Sequence, residues 1–139
     1  MNEPNPTRAQ QIARAASDFE WQRTGHIPES VAVVISGDTL VVTLRGALSP
    51  AELALAQTPS GAAQVQEFHR LLFTSACGPL REEIGRITGV KVREAAAEVE
   101  PAGGAVAQVF TDGTIVQVFL LAGSLPGENW DERERDGAP

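Results

Sequence analysis

The sequence predicts an α+β fold, a single domain in which an antiparallel sheet of about four to five strands packs against helices in the order α-β-β-α-α-β-β(-β). Three observations carry this. Apolar residues recur at helical spacing over residues 7–23 and again over 60–88, β-branched runs fill 30–46 and 90–122, and capping signals separate the two textures.

Residues 1–6, with two prolines, read as a flexible lead-in. Thr7 then offers a cap for a helix whose apolar positions Ile12, Ala15, Ala16 and Phe19 share one face, and Gly25 and Pro28 stop it after about Arg23. From Ser30 the stretch SVAVVISGDTLVVTLRG holds two β-branched runs around Ser-Gly-Asp, the pattern of a tight hairpin with strands near 30–36 and 39–46. Val31, Val33 and Ile35 fall on one face of the first strand; Leu40, Val42 and Leu44 share one face of the second. The opposite faces are also largely apolar, so either helices cover both sides or a second subunit does.

GALSPAELALAQTPSGAAQV, at Gly46–Val65, contains two helix starts only eleven residues apart. Ser49, Pro50 and Glu52 form the Ser-Pro-x-Glu version of a capping box, with proline at the first helical position. Thr58-Pro59 ends that short helix, and Ser60 is the expected cap of the next. The longer helix places Val65, Phe68, Leu72, Ala76, Leu80, Ile84 and Ile87 on its apolar stripe, and Gly78-Pro79 predicts a kink or break near Cys77. VKVREAAAEVE, AVAQVF and TIVQVFLLAG then read as strands. The domain is expected to span 7–122, and the Gly/Pro-punctuated residues 123–139 to form an acidic flexible tail.

At 139 residues the chain can bury a real core, since folding at this size removes about 68–70% of the accessible surface. With no Tyr, two Trp and five Phe, that core is mostly aliphatic. A net charge of −7 argues against nucleic acid as a partner, because holding phosphate backbones needs clustered Lys and Arg. The single Cys77 allows no internal disulfide and no cysteine-based zinc site. No stretch approaches the roughly 18 apolar residues of a membrane span, and the polar first residues lack a signal-peptide core. The expected location is therefore cytoplasmic, peripheral to the inner face of the membrane only through a partner.

No cluster of residues declares a reaction, so the chain is expected not to be an enzyme and to need no cofactor or metal. His26 and His69 are 43 positions apart and read as isolated histidines. Cys77 reads as a small filler at the helix break rather than a reactive thiol. Trp130, in the acidic tail, is either a docking anchor or a locally packed aromatic. The strongest candidate contact is the corner between Gly46 and Gly61. There the helix starts at Ser49 and Ser60 would present amides to an anion, with Arg45 and Arg70 as helpers. Glu52, Gly61 and Lys91 complete this candidate set for an anion or a partner.

Taken in order, VVISGDTLVVTLRGALSPAELALAQTPSG, HRLLFTSACGPLREEIGRITGVKV and VFLL resemble the small bacterial MpsC-like family, described as a component of a Na+-translocating membrane-potential-generating system and formerly a domain of unknown function. The positions carrying the likeness are Leu44, Gly46, Leu48, Ser49, Glu52, Gly61, Arg70, Pro79 and Thr88-Gly89-Val90-Lys91-Val92, within about residues 10–121. Family members usually carry an Asp in the strand after T-G-V-K-V and a shorter closing hairpin. This chain instead has AAAEVEPAGGAVAQVFTDG there.

The resemblance implies a non-catalytic accessory or regulatory subunit of a membrane ion-translocating or inorganic-carbon uptake system. Its partners would be an antiporter-like membrane subunit and a soluble protein of the same system. Two other readings stand beside it: a small anion- or metabolite-binding sensor or enzyme at the Gly46–Gly61 corner, and a stand-alone dimeric interaction module. The apolar second sheet face suggests a homodimer built across the sheets.

Overall fold

A computed structural model of the chain describes residues 5–94, 107–109 and 113–132. Its elements are α1 (Arg8–Thr24), β1 (Ser30–Arg45), α2 (Pro50–Leu55), α3 (Pro59–Ala76), α4 (Gly78–Thr88), β2 (Val92–Glu94), β3 (Ala107–Val109) and β4 (Ile115–Asp131). The fold is α+β, with an antiparallel sheet in which β4 pairs with β1, β2 and β3.

β1 is strand along its whole length, yet it is not straight. Extended, its 16 residues would hold the two ends about 50 Å apart, whereas the Glu29 amide donates to the Arg45 carbonyl at 2.8 Å and an Arg45 guanidinium nitrogen lies 3.3 Å from Ser30 Oγ. The segment folds back on itself at Gly37, the hairpin that Ser-Gly-Asp predicts. Gly37 has φ +62°, and among the described residues only glycines take a positive φ, so Asp38 does not, the arrangement of a two-residue turn with glycine at its first central position. Val31, Val33, Ile35, Leu40, Val42 and Leu44 are all buried, as the alternation requires.

β4 follows both halves of the hairpin. Ile115–Leu120 lie opposite Leu44–Thr39, and Leu125–Asp131 lie opposite Gly37–Ala32, with only Asp38 on β1 against residues 121–124 on β4. The extra residues carry β4 around the hairpin tip, the longer outer path of a bend. Residues 123–131, expected in a flexible tail, are therefore strand. Gly123, Pro126 and Gly127 read locally as loop, but the first half of β1 supplies a pairing edge that local preference does not reveal. Trp130 packs against the core, and three acids beyond 123 have partners. Glu128 accepts from the Ala9 amide, Asp131 pairs with Arg45, and Glu132 accepts from the Val31 amide.

The helices start where capping chemistry puts them. Thr7 accepts from the Gln10 amide, and Ser49 and Glu52 make the reciprocal capping box. The cap of α3, however, is Thr58 rather than Ser60: its hydroxyl accepts from the Gly61 amide at 3.0 Å, and Ser60 lies inside the helix. Pro59 decides this. It takes the first helical position and forces Thr58 into the extended conformation of a cap, as Pro50 does for Ser49. Gly61 then lets the two helices meet, since a Cβ there would lie 1.8 Å from the Leu55 carbonyl oxygen. The predicted break falls at Cys77, between α3 and α4.

The buried stripe of α3 differs from the one its apolar letters suggest. Gly61, Val65, His69 and Phe73 face inward, whereas Phe68 is 51% exposed. The line of residues four apart wins because it brings Phe73 into an aromatic contact chain, 6.3 Å from Phe19 of α1 and 5.8 Å from Phe119 of β4. A histidine is carried inward with it. The VKVREAAAEVE and AVAQVF strands survive as β2 and β3; Val90 and Lys91 precede β2 without being strand, and residues 95–106 and 110, with the PAGG turn, lie outside the described residues.

Candidate functional site

The same four-residue spacing that builds the core of α1 carries an acid into it. Ile12, Ala16 and Glu20 lie one turn apart on the buried face, and Glu20 is only 3% exposed. Its Oε1 is buried without a hydrogen-bond partner among the described residues. Burial, reinforced by the negative charge of Glu52, raises its pKa to about 7. At neutral pH this carboxyl is divided between its acid and its anion.

Glu52 reaches the same region from α2. One carboxylate oxygen accepts from the Ser49 amide at 3.0 Å, closing the capping box, and the other lies 2.6 Å from His69 Nε2. Burial alone would push its pKa up, but the bond from the Ser49 amide and the His69 contact outweigh that and hold the net value below the ordinary carboxylate range. Glu52 is thus a fixed anion. The His69 side chain is 2% exposed and its ring meets Phe68 edge-on. Glu52 of α2 and His69 of α3 are therefore in direct contact, and Glu20 of α1 lies within reach of the Glu52 charge.

Above the Glu52–His69 pair lies an open groove of about 510 Å³, lined by Arg23 and Thr24, Ser49 and Glu52, and on its apolar wall by Leu55, Val65 and Phe68. Leu53, Leu55, Phe68 and Leu71 are 37–55% exposed, so the outer surface of α2 and α3 is unusually apolar. Such groups can hold or exchange a proton and can position a polar group of a partner. No group of His, Cys, Asp and Glu among the described residues is arranged to hold a metal ion.

The residues singled out in the sequence divide into two sets. Ser49, Glu52 and Gly61 do meet at the α2–α3 corner. Arg45 makes a paired contact with Asp131, at 3.0 and 3.1 Å, and Arg70 is held by Glu67 on its own helix. Ser60 caps nothing, and Lys91 lies elsewhere, along a groove beside α4 with Arg81 and Glu82. Between Gly46 and Gly61 the one charged residue is an acid, Glu52. His26 fixes the loop instead, with Nε2 donating to the Gly46 carbonyl at 2.9 Å, and Cys77 is buried, which raises its thiol pKa.

Glu20 and His69 escape a reading based on apolar letters. Their signal is positional, a polar residue continuing an apolar line of residues four apart, as in Ile12–Ala16–Glu20 and Val65–His69–Phe73. Such a residue is carried into the core by its neighbours and must find a partner there or change its protonation.

A sequence model of the family described as "Na+-translocating membrane potential-generating system (MpsC)" matches residues 6–112. The chain is also similar to "Uncharacterized protein YbcI" of Bacillus subtilis (strain 168), 27% identical over 100 residues that cover 72% of this chain and 81% of the relative. No solved structure matches.

Proposed function

Because the chain belongs to the MpsC family, we propose that it acts as a non-catalytic accessory or regulatory subunit of a membrane ion-translocating or inorganic-carbon uptake system. The family match over residues 6–112 is the observation that carries this reading. No helix among the described residues is long and apolar enough to cross a membrane. In this reading, contact with a membrane component is made by the folded surface, and the exposed Leu55, Phe68 and Leu71 around the groove are the contact face. The groups best suited to chemistry support a structural role, since Glu52 closes a helix cap and braces His69.

The alternative of an anion sensor at the Gly46–Gly61 corner gains little support. Arg45 and Arg70 are each neutralised by a carboxylate, and Glu52 places a fixed negative charge at the site. The dimeric module rests on the outer sheet face, where Val34 is 48% exposed and Val41 pairs with Val118. Light scattering at micromolar concentration tests it, and a clean monomer would remove it.

The accessory reading is tested by a tagged pull-down from gently solubilised native membranes, with mass spectrometry of what co-purifies. Recovery of an antiporter-like membrane subunit is the expected result. Recovery of the tagged chain alone would count against it.

A further inference from the structure

The groove that Glu52 lines has a shape and a charge that together describe its occupant. Its lining comes from the end of α1, from α2 with its cap, and from α3. Among these described residues no strand borders it, so an extended peptide finds no edge to join, whereas helical walls present ridges that accept another helix. On α3 the apolar residues Val65, Phe68 and Leu71 recur at every third position, and Phe68 and Leu71 are exposed. Leu55, also exposed, closes the apolar wall from α2. At about 510 Å³ the groove takes a few side chains from one helix rather than a flat surface.

Its charge is one-sided. Glu52 has one oxygen bonded to the Ser49 amide and the other to His69 Nε2, which leaves each oxygen a further lone pair, and its side chain is 20% exposed. Thr24, the last residue of the 17-residue α1, brings that helix's C-terminal end to the groove, and with it the partial negative charge of the final carbonyls. Arg23, the cation on the lining, is turned over the Phe19 ring at 5.3 Å. We propose that this groove binds a single amphipathic helix of a partner protein, with apolar side chains against Leu55, Val65 and Phe68 and a Lys or Arg that reaches Glu52.

Other occupants fit less well. A second copy docked by the same face would bring two Glu52 carboxylates into one interface, and like charges there are unfavourable. An anionic membrane surface would repel a chain of net charge −7. A basic, apolar helix meets neither cost. The inference rests on the proposed function for the source of the helix, since the cytoplasmic loops of membrane subunits are rich in Lys and Arg.

The test uses the full chain and synthetic peptides of about 18 residues, five turns of helix. They are a Leu/Gln amphipathic helix with a Lys at the edge of its apolar face, its twin with Glu in place of Lys, and a scramble of the first. Binding is read by fluorescence titration at pH 7. Phe68→Ser and Leu55→Ser probe the apolar wall, and Glu52→Gln probes the charge while keeping the capping box, because glutamine serves at that position. Glu82→Gln, at an exposed position on α4, is the control of equal charge change. The Lys helix is expected to bind, and its Glu twin and the scramble to bind about tenfold more weakly. Each apolar variant, at an unchanged melting temperature, is expected to lose about tenfold. Glu52→Gln should lose about threefold and Glu82→Gln nothing.

Failure of the Lys helix to bind overturns the proposal, as does equal binding by its Glu twin. An equal loss in Glu82→Gln and Glu52→Gln overturns it too, being the mark of general attraction to an acidic chain. Phosphatidylcholine vesicles that bind the wild type but not Phe68→Ser would give the face to lipid, and self-association lost in Phe68→Ser would give it to a second copy; either result overturns it. A membrane pull-down that succeeds while the peptides fail removes the helix from the groove and leaves the accessory role standing.

Discussion

Glu52 holds His69 Nε2 at 2.6 Å through one carboxylate oxygen while its other oxygen accepts from the Ser49 amide at 3.0 Å. One side chain therefore fixes both the start of α2 and the only strongly polar residue on the buried face of α3. Replacing it by alanine removes a cap and leaves a buried imidazole without this partner. Together these are expected to cost about 2 kcal/mol. Glu52→Gln keeps the cap and should cost less than half as much. Urea denaturation of the two variants, with unchanged m-values, checks the order.

The pH dependence of stability follows from the opposite shifts of two acids. Glu20 binds its proton more tightly in the folded chain, with a pKa raised from 4.5 to about 7. Its contribution is fully present below 4.5 and is lost as pH rises to about 7, a loss of about 3 kcal/mol. Glu52 is lowered, so its contribution is present above the ordinary carboxylate value and fades as pH falls below it. Stability should peak in mildly acidic solution and fall toward pH 8. In Glu20→Gln the fall above pH 5 should disappear. Denaturation midpoints at pH 5, 6, 7 and 8 decide, and a wild-type value that is equal at pH 5 and 8 contradicts the assignment.

The two helix starts depend on a glycine that no other residue can replace. A Cβ at position 61 would lie 1.8 Å from the Leu55 carbonyl oxygen, so Gly61→Ala must force α2 and α3 apart. A loss of at least about 2 kcal/mol is expected, in the range of overpacked sites. Gly78 provides the control, with nothing within 4 Å of its would-be Cβ. Gly78→Ala should change stability by no more than about 0.5 kcal/mol.

Deleting residues 123–139 tests the outer half of β4. It removes the partner of Ala32–Gly37, the Glu128 contact at the start of α1 and the Arg45–Asp131 pair. The truncated chain is expected to lose its cooperative thermal transition in circular dichroism. A transition at the full-length temperature would mean that this half-strand contributes nothing.

These elements were unequally legible in the sequence. Helix starts are local chemistry, so Thr7, Ser49 and Pro50 could be placed from a few neighbouring residues. The hairpin was equally local, because Gly37 meets a backbone demand that few residues satisfy. Residues 123–131 were not legible. Gly123, Pro126 and Gly127 favour a loop, and only long-range pairing with β1 makes them strand; among the described residues this half of β4 pairs with β1 on one side, where a proline is tolerated. The inward face of α3 was misplaced for a related reason. Phe68 is more apolar than His69, but packing against Phe119 selects the line through Phe73. Half of the candidate site was visible as Ser49, Glu52 and Gly61. Glu20 was hidden because an acid on a helix reads as solvated surface until its neighbours are known to be buried.

The proposed role has this chain serving a membrane system through its folded surface. Pull-downs from native membranes with the wild type and with Phe68→Glu, a change at a residue 51% exposed, test it most directly. The wild type is expected to recover a membrane subunit, and Phe68→Glu, at an unchanged melting temperature, far less. Recovery of the wild-type chain alone would contradict the accessory role. Equal recovery by both would contradict the groove as its contact face.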